Sequence, residues 1–286
     1  SLSFCVSLTT FNIFCIAIPM FSRYLCHESL ITYTMKNIST LLLHLKSFED
    51  NRSQRSKELR CASDRKEYAE IIAKCFTSCA QAILSGHFRV AFTSGGIEQV
   101  RKIYPTAIEL YYHEEGEGRF KDPIMYHTDD RKIADHRKKV RKQEYLKDRN
   151  IPELPYFPMG NLNPHTSGID ITFENPEEKY RASFLIRQYR VEYESGICLD
   201  VVNSTDIYED LLVNGISICD ADGMEWVDGK NDCDVQRRWR RNVPAYNVND
   251  SLPENWRKVE AKGENTFSSG KSTFAKCPFD WQFYRK

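Results

Sequence analysis

One stretch of the chain sets a carboxylate beside a phenol: Thr106-Ala107-Ile108-Glu109-Leu110-Tyr111-Tyr112-His113-Glu114-Glu115. Its apolar and aromatic run reads as a strand leading into an acidic turn. Residues two apart on a strand share a face, so Glu109 and Tyr111 stand together. A carboxylate can take a proton from water, and a phenol ring beside it can stack on a flat substrate. A second stretch, 154–173, is rich in Pro, Asn and aromatic residues and carries Tyr156, His165 and Asp170. Asn163-Pro164 is a turn signal, so this segment reads as two extended pieces joined by a hairpin-like tip. Asp170 then lies just inside the returning strand. The chain has no Gly-rich phosphate loop, nucleophile elbow or zincin helix,. No metal and no small-molecule cofactor is expected.

Two basic clusters are candidates for binding phosphate. Between 131 and 149, nine lysines and arginines stand against three acids, with Arg137, Lys138, Lys139 and Arg141 at the centre. Arg237-Arg238-Trp239-Arg240-Arg241 forms the second cluster, from which Arg238 and Arg240 are the candidates. Such runs serve either as a plain solvated face or as a surface that displaces the counterions of nucleic acid.

The elements that must hold these residues are legible in part. The chain has 286 residues, with 40 Lys+Arg against 40 Asp+Glu, and 41% hydrophobic residues. This is a globular composition, long enough for a large core. Mean hydropathy is −0.54, which excludes a polytopic membrane protein. A net charge of zero means that any nucleic-acid surface must be local. Tyr68, Ile71, Ile72, Cys75, Phe76, Cys79, Ala82 and Ile83 recur at helical spacing, with Ser63 to cap the start and Gly86 to close the end,. Strands fit 87–92, 106–113, 168–174 and 181–193, and a short helix fits 205–214, capped by Ser204 with Gly215 after it. Strands outnumber helices and do not alternate with them. That predicts an α+β single domain with a curved, mainly antiparallel β-sheet and flanking helices, not a doubly wound fold.

Residues 35–62 read as a charged linker before a domain spanning 63–286, and the charge-rich part 46–66 reads equally as a solvated helix. Residues 1–34 read as an apolar extension. Residues 1–22 carry no charged side chain, but Pro19 interrupts them and they lack the basic start of a signal peptide,. A non-native extension, a membrane anchor and a core element all fit that segment. The ten cysteines contain no Cys-x-x-Cys pair, which favours reduced core thiols in a cytoplasmic protein,. In a bacterium, such a protein would be associated with the nucleoid.

Taken in order, these pieces resemble the alkyladenine (3-methyladenine) DNA glycosylase family. Thr106–Tyr111 is similar to the second half of that family's Ile-Val-Glu-x-Glu-Ala-Tyr strand. Asp122-Pro123-Ile124-Met125-Tyr126-His127 supplies a following histidine. Residues 156–170 resemble the aromatic hairpin and short strand, and Ala182–Arg187 the Ala-x-Leu-Leu-Arg-Ala motif. Residues 207–216 weakly echo a helix, and Gln282-Phe283-Tyr284-Arg285 the family's chain end. The resemblance implies a monomeric DNA-repair enzyme that flips modified purines from double-stranded DNA and hydrolyses the N-glycosidic bond. It implies Glu109 as general base and Arg187 near the attacking water or the phosphates. It implies Tyr111 and His127 sandwiching the base, Tyr156, His165 and Asp170 binding substrate, and the tip Asn163–His165 filling the gap left in the duplex,. The chain departs from the pattern in carrying Asp170 where the family has Asn, and in lacking an aromatic wedge at the hairpin tip. These departures keep open a second class, a non-catalytic nucleic-acid-binding protein on the same scaffold.

Overall fold

A computed structural model describes residues 39–94, 96–116, 119–120, 122, 125, 156–165, 168–207, 210, 224–230, 233–240, 246–247, 266–269, 272–275 and 279–286. The chain enters through α1 (Ser39–Gln54) and α2 (Ser56–Cys61). Within the expected linker, 39–54 and 56–61 are helical and pack into the domain, so the solvated-helix alternative for 46–66 is nearer for its helical part, although Phe48, Arg52 and Leu59 are buried. Leu41, Leu45 and Phe48, four and then three residues apart, are fully buried. Arg52 continues the same stripe one turn on. Its Nε donates to the Tyr112 hydroxyl at 2.7 Å, and its Nη2 to Glu114 at 3.1 Å. The apolar stripe is narrow and ends in an arginine, so the surrounding charges hide it in the sequence.

Helix α3 (Arg65–Ser85) buries Tyr68, Ile71, Ile72, Cys75, Phe76, Cys79 and Ile83, the stripe that the spacing predicts. Its cap is Asp64 rather than Ser63. The Asp64 carboxylate accepts from the Glu67 N–H at 2.7 Å, while Glu67 reaches back to the Ser63 N–H at 2.6 Å. This is the reciprocal capping arrangement moved along by one residue. Gly86 is the C-cap, its N–H donating to the Ala82 carbonyl, and a Cβ there would lie 2.3 Å from the Trp226 ring. Burial pushes the Cys75 thiol up to about 11, so it behaves as core,. Cys61, Cys75, Cys79, Cys198 and Cys233 are free thiols.

The helices cover one face of a nine-stranded sheet. Its long members are β1 (His87–Ser94), β2 (Ile97–Glu114) and, after the short β3 (Leu162–His165) and β4 (Gly168–Thr172), β5 (Tyr180–Tyr193). The short strands β6 (Cys198–Val201), β7 (Met224–Val227) and β8 (Val235–Arg238) follow, and β12 (Gln282–Arg285) ends the chain. The order is β3-β4-β5-β2-β1-β7, with β6 on β5, β12 on β2 and β8 on β12. Every one of these pairings is antiparallel. Between β8 and β12, β9 (Tyr246–Asn247), β10 (Thr266–Ser269) and β11 (Ser272–Ala275) form a separate three-stranded sheet. The protein is thus an α+β single domain built on a mainly antiparallel sheet, as the sequence predicts.

The tip of the 156–170 hairpin is not at Asn163-Pro164. Both residues lie inside β3, Asn163 opposite Asp170 and Pro164 opposite Ile169. β3 is the edge strand, where a proline without an N–H leaves no ladder bond unmade.

Alternation along β2 and β5 gives the sheet two different faces. Ile108, Leu110 and Tyr112 stand opposite Ile186, Phe184 and Ala182 and form the apolar face. Phe76 of α3 docks there, stacked on Phe173 at 5.7 Å and edge-on to Phe283 at 5.1 Å. On the other face Glu109, Tyr111 and His113 stand opposite Leu185, Ser183 and Arg181. Residues 1–34, the run 131–149 and most of the helix expected over 205–214 lie outside the described residues. Among the described residues, no helix is long and apolar enough to cross a membrane.

Candidate functional site

The polar face of the sheet carries a row of side chains set by register alone. Arg238 pairs with Gln282, Gln282 with Glu109, Glu109 with Leu185, Leu185 with Asp170, and Asp170 with Asn163. Directly paired residues project to the same side of a sheet, so this row runs across strands β8, β12, β2, β5, β4 and β3.

Glu109 is the centre of the row and is fully buried. Its Oε2 accepts from Arg187 Nε at 2.6 Å and from the Tyr111 hydroxyl at 2.9 Å. Its Oε1 accepts from Gln282 Nε2 at 2.7 Å. Arg187 closes a triangle, donating from Nη2 to the Tyr111 oxygen at 3.1 Å. All these donors aim at a carboxylate, which fixes its rotamer and orientation. Burial, and then the charge of Glu109, raises the Tyr111 hydroxyl well above its ordinary value, so it remains a protonated donor. Burial works against the charge on Arg187, but Tyr111 and Glu109 outweigh it and hold the guanidinium above its usual value.

The β2–β5 ladder is irregular beside Arg187. Gln188 pairs with Ala107 and Ile186 with Ile108, so the ladder passes over Arg187 and, on β2, over Thr106. Arg187 stands two residues from Leu185, so strand alternation puts it on the same face as Glu109,. Leu185, Tyr111 and Met125 form a small apolar cluster of their own beside Glu109, separate from the main core.

The structure joins some of the predicted site residues and separates others. Glu109, Tyr111 and Arg187 are in direct contact, and Asp170 sits two strands from Glu109 in the same row. Asp170 is buried at 3% exposure, and its charge is felt at the Tyr111 hydroxyl. Tyr156 is on the same side of the sheet but at the far end of β5. Its ring lies under the Arg181 guanidinium, 4.0 Å from the centroid. Arg181 itself bonds Glu115 at 2.7 Å and Glu174 at 3.1 Å. His165 pairs with Gly168 at the end of β3. His127, Arg137, Lys138, Lys139 and Arg141 lie outside the described residues.

Arg240 does not fit the expectation of a phosphate-binding surface. Its side chain and that of Asp122 are both fully buried, and it bonds Asp122 at 2.7 and 3.1 Å and the Leu110 carbonyl at 3.1 Å. The guanidinium lies 5.0 Å from the Tyr111 ring centroid and 5.2 Å from that of Trp281. A cation this deep neutralises an internal carboxylate, and burial removes it from any phosphate. Arg238 is half-buried, donates from Nε to Gln282 Oε1 and from Nη2 to Gln188 at 3.4 Å, and covers the Tyr284 ring at 4.5 Å. It acts as a support of the row. A cluster of arginines looks the same in sequence whether it faces solvent or a buried acid.

Two site residues have no signal in the sequence, Gln282 and Leu185. The 181–193 strand is legible there and the last strand is not, and only their register brings these two side chains to Glu109. Among the described residues, no group of three or more His, Cys, Asp or Glu side chains is placed to hold a metal ion. No family model, curated protein or solved structure matches the chain.

Proposed function

We propose that the protein is a DNA base-excision glycosylase that hydrolyses the N-glycosidic bond of modified purines in duplex DNA, with Glu109 as its general base. The observation that supports this most is the carboxylate of Glu109, held by Arg187, Tyr111 and Gln282 on the sheet face opposite the main core. In this reading a water replaces one of the donors at Glu109 when substrate binds. The carboxylate takes its proton as the oxygen attacks the deoxyribose C1′, and the base leaves. Arg187 lies against Glu109 and balances its negative charge away from solvent. The Tyr111 ring has the Arg240 guanidinium on one side, and a flipped purine stacks on the other. Base–aromatic stacking contributes about 1–3 kcal/mol, which offsets part of the cost of unstacking. The basic run around Arg137–Arg141 supplies the phosphate contacts.

A second reading rests on the burial of Glu109. A carboxylate with no exposure and donors on both oxygens also describes a structural knot in a non-catalytic nucleic-acid-binding protein. Glu109→Gln separates the two, because it keeps size and hydrogen bonding and removes the proton acceptor. General-base catalysis contributes about 10²- to 10⁴-fold, so base release from alkylated duplex DNA falls by that order while DNA binding persists. A wild-type protein that binds duplex DNA and releases no purine, alkylated or deaminated, returns the scaffold to the binding class.

A further inference from the structure

We propose that Arg238 is a positioning residue for Glu109, fixing the side-chain amide of Gln282 so that its amino end, and not its oxygen, faces the carboxylate. The consequence for catalysis rests on the glycosylase reading above. Arg181, Arg187, Arg237 and Arg240 each bond a carboxylate directly. Arg238 bonds none among the described residues. Its Nε donates to Gln282 Oε1, its Nη2 donates to Gln188 Oε1 at 3.4 Å, and its guanidinium lies 4.5 Å from the centroid of the Tyr284 ring. The other end of the Gln282 amide donates to Glu109 Oε1 at 2.7 Å. The cation on β8 therefore reaches a buried carboxylate on β2 through one amide on β12.

The order of these groups leaves the amide one orientation. A guanidinium only donates hydrogen bonds, an ionised carboxylate only accepts them, and an amide does both from opposite ends. With Oε1 toward Arg238 and Nε2 toward Glu109, both contacts are satisfied. Turned by half a rotation, the amide would set oxygen against oxygen at Glu109 and donor against donor at Arg238. Gln282 and Glu109 are both fully buried, so water does not relieve the first of these clashes,. Register fixes the line of the three residues, since Gln282 pairs with Arg238 on one side and with Glu109 on the other.

Each oxygen of Glu109 is thereby served by an arginine. Arg187 bonds Oε2 directly, and Arg238 acts on Oε1 through Gln282. Loss of Arg238 frees the amide to turn, and an amide oxygen facing Oε1 pushes the carboxylate out of line. A phosphate contact at Arg238 would act differently, through affinity for DNA and without passing through Gln282.

A double-variant cycle tests the role, reading single-turnover base release from alkylated duplex DNA with duplex affinity measured alongside. Arg238→Met is expected to slow release by about 10- to 100-fold, the range seen when a partner behind a directly acting group is removed, and to leave duplex affinity unchanged. Arg238→Lys, which keeps a donor for Gln282 Oε1, recovers part of the rate. In a Gln282→Leu chain the amide is gone, and Arg238→Met slows release no further, because residues that act through one another are not additive. Losses that add in the double variant overturn the proposal, as does a loss confined to duplex affinity, which makes Arg238 a phosphate contact. The NMR signal of the Gln282 side-chain amide, assigned by its disappearance in Gln282→Leu, gives a readout that needs no activity. Arg238→Met should shift it and speed its proton exchange, while Arg238→Lys keeps it near the wild-type position. A signal that Arg238→Met leaves unmoved overturns the proposal and leaves the glycosylase reading in place. Wild type that releases no purine overturns the glycosylase reading, and the amide signal then decides the orientation alone.

Discussion

Gln282 and Glu109 are register partners across β12 and β2, and the Gln282 side chain donates to Glu109 Oε1 at 2.7 Å. The C-terminal strand thus reaches into the candidate site, although it is the last element of the chain. Gln282 in turn accepts from Arg238, so the carboxylate is held by a chain of side chains that starts on β8. Gln282→Leu leaves a buried acceptor unsatisfied, a loss of about 1–3 kcal/mol. Thermal unfolding should show that destabilisation. On the proposed glycosylase reading, base release should fall through kcat more than KM, because the variant misaims Glu109. An effect on KM alone would confine Gln282 to packing.

A second buried carboxylate holds α1 against the sheet. Glu114 Oε1 accepts from Tyr68 at 2.5 Å, Tyr112 at 2.6 Å and Arg52 at 3.1 Å. Burial disfavours its charge, yet the hydrogen bonds from Tyr112 and Tyr68 and the charge of Arg52 win, and its carboxyl is held below the ordinary 4.5. A group lowered on folding stabilises above its unfolded value and loses that contribution as pH falls through the folded one. Glu114→Gln should therefore cost about 1–3 kcal/mol at pH 7, because Arg52 keeps its pair with Glu178,. The gap to wild type should narrow as the pH drops below 4.5. Chemical denaturation at pH 7 and at successive acid steps measures both, and a gap independent of pH would show that charge plays no part.

What the sequence made legible follows from where the signal is local. The α3 stripe from Tyr68 to Ile83 repeats over several turns, and Glu109 and Tyr111 share a face by strand alternation alone, so periodicity reveals both. The buried face of helix α1 is hidden in the sequence, because its stripe is completed by Arg52, whose burial depends on Tyr112 and Glu114 far along the chain. Arg240 misled for the converse reason: its partner Asp122 is distant in sequence, and nothing near Arg240 announces a buried acid. The hairpin tip was misplaced because Asn163-Pro164 is a turn signal in isolation, whereas an edge strand tolerates the same pair. The row from Arg238 to Asn163 is purely a matter of register between strands far apart in the chain. No periodicity records it.

Close approach at the end of α3 gives a purely steric prediction. Gly86 has φ −90°, which any residue adopts, so its requirement for glycine comes from space. An added Cβ would meet Trp226 Cζ2 at 2.3 Å and the Val227 carbonyl oxygen at 2.8 Å. Gly86→Ala should destabilise by about 1–3 kcal/mol, the usual range for overpacking. Trp226→Leu in the same chain should recover part of that loss, since it removes the ring that the methyl group strikes. Denaturant midpoints of the single and double variants give the coupling, and simple additivity would place the cost elsewhere.

The two basic clusters should separate in their response to salt. Duplex binding weakens with salt by a slope of about 0.9 for each phosphate neutralised. Reversing Arg137, Lys138 and Lys139 to Glu should weaken binding to unmodified duplex and flatten that slope by about 0.9 for each phosphate no longer neutralised. Arg240→Met should do neither, because Arg240 is enclosed and bonded to Asp122. Its effect should appear in stability, where an uncompensated buried Asp122 costs about 3–5 kcal/mol. Asp122→Asn combined with Arg240→Met should recover part of that cost by removing the stranded charge. Binding isotherms at several salt concentrations, paired with melting curves, place each cluster. An unchanged slope in the triple variant would make 131–149 a plain solvated face, and a flattened slope in a folded Arg240→Met protein would show that this arginine reaches the phosphates after all.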